Sequence, residues 1–480
     1  MPVLSELEPK IVFDYFEKLC AIPHGSFHTK QISDYLVSFA AAHGLKYRQD
    51  EIGNVIIWKA ATAGYENAPA VMIQGHMDMV AEKDAACTKD MEREGLDLFI
   101  DGDLIGAKGT TLGGDDGIAV AMGLAILDSD DIPHGPLECV FTVDEEVGML
   151  GARALDTSDL KARYLLNIDS EEEKVLMVSC AGACRAVCSF DAKREAFSGE
   201  ICKVTVTGLI GGHSGEEIQK GRANSNILMG RVLYEMSRAT ELRLVRIDGG
   251  AKDNAIPRET AAVVSVKSST ALKAVAERLT AELQEEYRAA DGGVCVNICA
   301  DETALFPLTK SCTQSVITFA HCAPNGVQEM SADVAGLVQT SLNLGRLYTQ
   351  EDSVFFSFMV RSSVNSQKDA VASRLEALTA ALGGKTEIAS SYSAWQYRAD
   401  SPLRDKMIEV FRKQYGEEPR IEALHAGLEC GILSGKMPEL DCISLGPDLT
   451  DIHTPRERLH IASTLRTWKL ILATLKELRN

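Results

Sequence analysis

The sequence predicts an α/β catalytic body, a mainly parallel sheet flanked by helices, with an α+β lid inserted into it. Three observations predict this. Residues 1–183 alternate helical patterns with short apolar runs, residues 184–391 change to strands of alternating polarity, and residues 392–480 return to the first style. The expected domains are therefore a first catalytic segment (1–183), an inserted lid for substrate or dimer contacts (184–391) and a second catalytic segment (392–480). A length of 480 residues suits this division, since one ordinary domain takes ~100–200.

Glu8–Cys20 and Thr29–His43 carry apolar residues at helical spacing, and Gly44 stops the second helix. The runs Asn54–Lys59, Ala70–Gln74, Glu138–Val143 and Tyr164–Ile168 are short, aliphatic and bounded by helices. That pattern marks strands buried on both faces. In the insertion, Ile201–Leu209 alternates, Gln219–Ser237 is helical, and Leu242–Gly250 and Thr260–Ser268 are strands. The helix Ala271–Tyr287 and the strand Val294–Asp301 complete a β-α-β-β-α-β order. A weaker echo follows: helix Ser311–His321, strands Leu337–Gly345 and Ser353–Arg361, helix Ser366–Leu382 and strand Thr386–Ser393. Two small split-βαβ units in tandem are the expectation. The closing helix Leu403–Tyr415, strands Ile421–Leu424 and Cys442–Leu445, and helix Ile461–Leu478 then complete the first sheet.

The charge balance is 49 Lys+Arg against 69 Asp+Glu, net −20, which argues against nucleic acid and anionic membrane as partners. No run approaches the ~18 consecutive apolar residues of a membrane span, and no secretory signal is expected at the N-terminus. Thirteen scattered cysteines without a C-x-x-C pair suggest reduced thiols and a cytoplasmic location.

Acidic and histidine clusters follow the predicted strand ends, where open α/β sheets hold ligands. They are Gly75-His76-Met77-Asp78, the Gly-rich stretch 109–117 containing Asp115 and Asp116, Asp144-Glu145-Glu146, Asp169, and Asp451-Ile452-His453. Singly, each has a commoner explanation as a turn, cap or solvated surface. The Gly-rich stretch also lacks the GxxxxGK[ST] pattern of a nucleotide loop. Together they would make burial of unpaired carboxylates expensive unless a divalent centre shared them. Two histidines with three or four carboxylates exceed one tetrahedral zinc and suit two ions with a common bridge.

The motifs HMDMV, GTTLGGDDG, VDEEVGMLGA, NIDSEEE, GGHSG and DIHTPRE, spread over the whole chain, resemble those of the co-catalytic di-zinc peptidases, in the carnosinase-like, aminoacylhistidine dipeptidase branch. The resemblance implies His76 and Asp169 as ligands of one metal, Glu146 and His453 as ligands of the other, and Asp115 as the bridge. It implies Glu145 as general base and Asp78 as the acid orienting His76. It also implies a cis peptide bond after Asp115. Asp116 stands where the family often has Asn, which would add negative charge beside the bridge. In the lid, His213 resembles an oxyanion or substrate histidine, Asn254 a substrate contact, and Arg361 the group that holds the substrate's carboxylate. Each of the three has a plain alternative as a loop, turn or surface residue. His425, in the Gly-rich segment His425–Glu429, is left outside the catalytic set.

The implied reaction is hydrolysis of dipeptides with a free C-terminus, Xaa-His dipeptides including β-alanyl-histidine among them. Water would be activated between two divalent ions (Zn2+, with Mn2+ or Co2+ compatible) and Glu145 would serve as base. The alternatives are an N-acyl-amino-acid deacylase or tripeptidase on the same scaffold, and a catalytically silent binding protein. A small peptide is the expected partner, and a homodimer in which one chain supplies the lid histidine to the other is compatible.

Overall fold

The computed structural model describes residues 2–479. Their contacts divide into two compact units. The first runs to Ser179 and resumes over Tyr397–Ala423 and from Leu428 onward, and the second is Cys180–Gln396 with Leu424–Gly427. Residues 424–427, expected in the second catalytic segment, thus group with the second unit.

The first unit is built on an eight-stranded sheet. Its spatial order is Lys46–Gln49, Val55–Lys59, Leu137–Thr142, Val71–His76, Tyr164–Asn167, Asp441–Ser444, Val175–Cys180 and Arg420–Leu424. The central strands, from Leu137–Thr142 to Asp441–Ser444, are parallel. Antiparallel pairs flank them, so the predicted mainly parallel character belongs to the centre. Lys46–Gln49 and Val55–Lys59 are joined by a short turn in which Asp50 Oδ1 accepts the N–H groups of Gly53 and Asn54, and a short turn can only return the chain antiparallel. Val71–His76 is buried at every position, as a strand covered on both faces must be.

The helix Gly114–Asp128 is buried continuously from Asp116 to Leu127. A Cβ on Gly123 would lie 2.8 Å from the Phe141 ring, and one on Gly75 would lie 2.5 Å from Ala119 Cβ. Glycine at these two positions lets the helix sit directly on the central strands. Leu449–Thr450, Arg458–His460, Leu104–Ala107 and Leu98–Asp101 form a separate small antiparallel sheet.

The second unit carries a nine-stranded sheet whose main path is Cys295–Ala300, Glu200–Thr207, Thr260–Val266, Leu242–Gly249, Val338–Gln350, Ser353–Ser362, Gly182–Asp191 and Lys385–Tyr392, with Gly326–Met330 pairing beside Val338–Gln350. Both halves are split-βαβ units, but they are nested and not in tandem. Gly182–Asp191 is the first strand of the second half and pairs with Ser353–Ser362 and Lys385–Tyr392, while the whole first half is inserted after it. The sequence conceals this strand because its inward positions are small or sulfur-containing: Cys184, Ala186 and Cys188 are buried, with only Phe190 bulky. The predicted helix Gln219–Ser237 also starts late, at Ser225. Ile218–Lys220 is a lone 3-10 turn, Gly221 takes φ +67°, and Asn224 Oδ1 caps the helix by accepting from Asn226 N and Ile227 N. Phe190, Phe319, Phe356 and Phe358 fill the core of this unit. No helix among the described residues is long and apolar enough to cross a membrane.

Candidate metal centre and substrate residues

Parallel strands end on one side of a sheet, so Val71–His76, Leu137–Thr142 and Tyr164–Asn167 deliver His76, Glu145 with Glu146, and Asp169 to one edge. Asp115 joins them from the start of the helix Gly114–Asp128, where the chain leaves helical geometry (φ −83°, ψ 102°). The Asp115–Asp116 bond is cis, as the resemblance implied. His453 arrives from the turn before Arg458–His460, in left-handed backbone (φ +59°). Asp144, preceding Glu145, is also left-handed (φ +53°). Such backbone is unfavourable for non-glycine residues and tends to concentrate at functional sites.

The two carboxylate oxygens of Asp115 face different histidines. Oδ1 lies 3.1 Å from His76 Nε2, and Oδ2 lies 3.1 Å from His453 Nε2. Asp169 Oδ1 is 3.7 Å from His76 Nε2, and Glu146 Oε1 is 2.9 Å from His453 Nε2. Two clusters of nitrogen and oxygen donors therefore share one carboxylate. This donor set fits two divalent cations: His453, Asp115 and Glu146 would hold one, and His76 with Asp169 and the other oxygen of Asp115 the second, although the acid whose ligand atom clusters with those of both His76 and Asp169 is the neighbouring Asp116.

His76 Nδ1 donates to the main-chain oxygen of Asp78 at 2.9 Å, with Asp78 Oδ1 at 3.5 Å, which leaves the Nε2 lone pair for a metal. The Asp78 carboxylate has further partners. Oδ1 accepts Glu145 N–H at 2.9 Å, and Oδ2 accepts Glu146 N–H at 3.3 Å and Ser26 Oγ–H at 2.8 Å. One buried acid thus fixes the histidine and the Glu145-Glu146 backbone together. The side-chain carboxylate of Glu145 receives no hydrogen bond within the described structure and lies near His76 and Glu146.

With only protein groups around them, the titratable groups strain against one another. Burial disfavours a charged His76, but the carboxylates of Asp115, Asp169 and Asp78 override it and push its pKa well up. His453 is pushed up to about 10 by its bonds to Asp115 and Glu146. Burial pushes Asp169 up to about 6, against the pull of His76. Glu145 is driven well above the carboxylate range by burial and by the charges of Asp169, Glu429 and Glu146. Cations at the centre would relieve this crowding of acids. Asp116 is not an exposed extra charge. Its Oδ2 accepts His76 N–H at 3.1 Å, and burial with neighbouring Asp169 pushes its carboxyl well up.

In the second unit, His213 belongs to the two-residue strand Gly212–His213, which pairs with Ala255–Ile256. Asn254 precedes that partner strand in an exposed turn, and its carbonyl accepts Ser214 N–H at 2.9 Å. A Cβ on Gly215 would lie 3.1 Å from His213 Cε1 and 3.4 Å from Arg361 Nε, so these residues form one neighbourhood. Arg361 is 6% exposed, and its Nε has no hydrogen-bond partner among the described residues. A buried guanidinium in this state is suited to an anion from outside the chain.

Two further residues belong to the segment His425–Glu429, which the sequence analysis left outside the catalytic set. His425 lies in the Arg361 neighbourhood, its Nε2 2.7 Å from Ser341 Oγ, and Ser341 is the cross-strand partner of Arg361. Burial and the Arg361 charge push His425 down to about 3. In the first unit, Glu429 is fully buried and accepts from Thr142 Oγ1 at 2.6 Å and from Gln74 Nε2, beneath the strand that ends in His76. Burial raises its pKa to about 7. A lone Glu opening a short apolar helix was the available signal.

Comparison with known proteins identifies the family. Residues 72–477 match the family described as "Peptidase family M20/M25/M40". The chain is 37% identical over 485 residues to the cytosol non-specific dipeptidase of Escherichia coli strain K12, covering 100% of this chain and 99% of that protein. It is 36% identical to the crystal structure of aminoacylhistidine dipeptidase from Vibrio alginolyticus, with a TM-score of 0.92 over 98% of this chain and 97% of that one. The aminopeptidase PepT structure from Bacillus cereus shares the fold at 15% identity, with a TM-score of 0.58 over 99% of this chain and 100% of that one. This chain belongs to peptidase family M20/M25/M40 and is a peptide-bond hydrolase.

Proposed function

We propose that the protein hydrolyses dipeptides with a free C-terminus by metal-dependent catalysis, with Xaa-His dipeptides, β-alanyl-histidine included, among its substrates. The observation that carries the reading is the placement of Asp115 between His76 and His453, one carboxylate oxygen to each. Two divalent ions held by His76, Asp115, Glu146, Asp169 and His453 would supply a Lewis acid for the scissile carbonyl and lower the pKa of a water. Glu145 would take a proton from the attacking water on its free carboxylate as the water oxygen bonds to the scissile carbonyl carbon, and return it to the amine nitrogen as the C–N bond breaks. Asp78 keeps Glu145 and Glu146 in register through their N–H groups. His213 donates to the carbonyl oxygen as negative charge develops there. Arg361 pairs with the substrate carboxylate, and Asn254 contacts the substrate beside His213.

Zn2+ is the proposed native metal, and the His/carboxylate donor set also accepts Mn2+ and Co2+. The relative described as a cytosol dipeptidase supports a cytoplasmic protein. His213 serves either its own chain or a partner in a homodimer, and mixing His213→Ala with Glu145→Gln protein separates the two, since activity returns only if His213 acts across chains.

The test is a dipeptide panel assayed after chelation and after return of Zn2+, Mn2+ or Co2+. Chelation abolishes activity and metal restores it, with about two ions bound per chain. Chelator-free protein with no divalent ion would overturn the reading. Xaa-His dipeptides cleaved no better than deacylase or tripeptidase substrates would move the substrate class.

A further inference from the structure

The motif DIHTPRE ends in Glu457, to which neither the sequence nor the reaction has assigned a task. Its side chain is almost wholly buried, at 2% exposure. Oε2 accepts Leu112 N–H at 2.8 Å and Gly113 N–H at 3.1 Å, and Oε1 accepts Gly114 N–H at 2.7 Å and Asp115 N–H at 3.3 Å. Four successive main-chain donors thus converge on one carboxylate.

The location gives this clamp its meaning. The first N–H groups of a helix have no partner within it, and a nearby Ser, Asp or water ordinarily takes them. Here the taker comes from over 340 residues away. The clamped segment also fails to continue as helix, since Gly113 is left-handed (φ +66°) and Asp115 and Asp116 are non-helical. The Asp115 N–H therefore goes not to a helix carbonyl but to Glu457. Gly114 provides the clearance, because a Cβ there would stand 3.2 Å from Glu457 Oε1 and 2.7 Å from Leu449 Cδ2.

Glu457 is itself anchored. Its N–H donates to Thr454 O at 3.0 Å, and the strand Arg458–His460 pairs with Leu104–Ala107 directly after it. The same turn carries His453, whose Nε2 meets Asp115 Oδ2. One turn therefore holds Asp115 from both sides, by its side chain through His453 and by its main chain through Glu457.

We infer that Glu457 is a positioning residue for the two-metal centre: its carboxylate fixes the backbone of Asp115 so that each side-chain oxygen faces its own metal. The inference rests on the two-metal reading above. Residues that orient a ligand typically contribute 10–100-fold in metal affinity.

The test is Glu457→Gln, which keeps the volume but turns an amide NH2 toward main-chain donors. Competition with a chelator, using Zn2+ and separately Mn2+, should show metal affinity lowered about 10–100-fold. With metal at saturation, the KM for a dipeptide should stay at the wild-type value. Val410→Ala, buried in the helix Pro402–Tyr415 of the same unit, controls for lost stability and should leave metal affinity unchanged. If Glu457→Gln does not fold, Glu457→Asp keeps the charge on a shorter arm and should give a smaller loss in the same direction. Wild-type affinity in the variant that folds, or an equal loss in Val410→Ala, would overturn the role of Glu457 alone. Failure of the wild-type protein to bind either metal would overturn the two-metal reading with it.

Discussion

The histidines at the acidic centre and those around Arg361 are treated in opposite ways. In the first, His76 and His453 are surrounded by carboxylates, which push their pKa values up, that of His453 to about 10. In the second, burial together with Arg361 pushes His213 and His425 down, the latter to about 3. The same side chain is thus set to work among acids in one place and beside an unpaired cation in the other. A ring of acids draws cations, and a buried guanidinium draws a carboxylate. The proposed substrate offers a partner to each kind of surrounding, a carbonyl open to electrophilic activation and a terminal carboxylate.

The sharpest way to break this contrast is at the acidic centre. Glu145→Gln should lower turnover by about 10²–10⁴-fold while the metal content stays at the wild-type value, because the base is lost and the ligands remain. Elemental analysis with a dipeptide assay checks both halves, and normal turnover would remove Glu145 from its role. The cationic side comes next. Arg361→Ala should raise KM for free-acid dipeptides by about 30-fold or more, from the ~2 kcal/mol or more that a buried charge-paired contact contributes. C-terminal amides should change little, and equal losses on both would exclude a carboxylate role.

The last effect concerns His425 and is read in stability, one pH unit at a time, not in turnover. Its folded pKa, about 3, lies below the ordinary value of 6.5. The unfolded chain therefore binds the extra proton between these pH values, and stability falls as pH drops from 6.5 toward 3. The contribution is complete above 6.5, and its slope is about 1.4 kcal/mol per pH unit for one proton. His425→Phe should flatten the fall in melting temperature on acidification by this one proton. An unchanged slope would mean that His425 is charged in the fold.

Much of the centre was legible because His76, Glu145, Glu146 and Asp169 follow apolar runs that could only be buried strands. A charged residue just past such a run sits at the ligand-bearing edge of the sheet. Residues acting through the main chain or across long separations left no such mark. Glu457 looks like one more surface acid until its bonds to Leu112–Asp115 are seen, and His425 meets Ser341 across 84 residues. The strand Gly182–Asp191 hid for a related reason. Its buried positions are filled mainly by cysteine and alanine, so alternation in burial produced no alternation in bulk.

The sequence by itself determined the two-body α/β architecture, the donor types gathered at the strand ends, and the divalent-metal chemistry those donors imply. Local spacing suffices there, because the direction in which a side chain leaves its own strand is set by the backbone period. Only the tertiary structure decided which Asp115 oxygen faces which histidine, and that the main-chain oxygen of Asp78 lies nearer His76 Nδ1 than its carboxylate does. It also decided that the two split-βαβ halves are nested. Each of these depends on packing between segments far apart in the chain, and such distances are set by the close fit of helix on sheet and strand on strand.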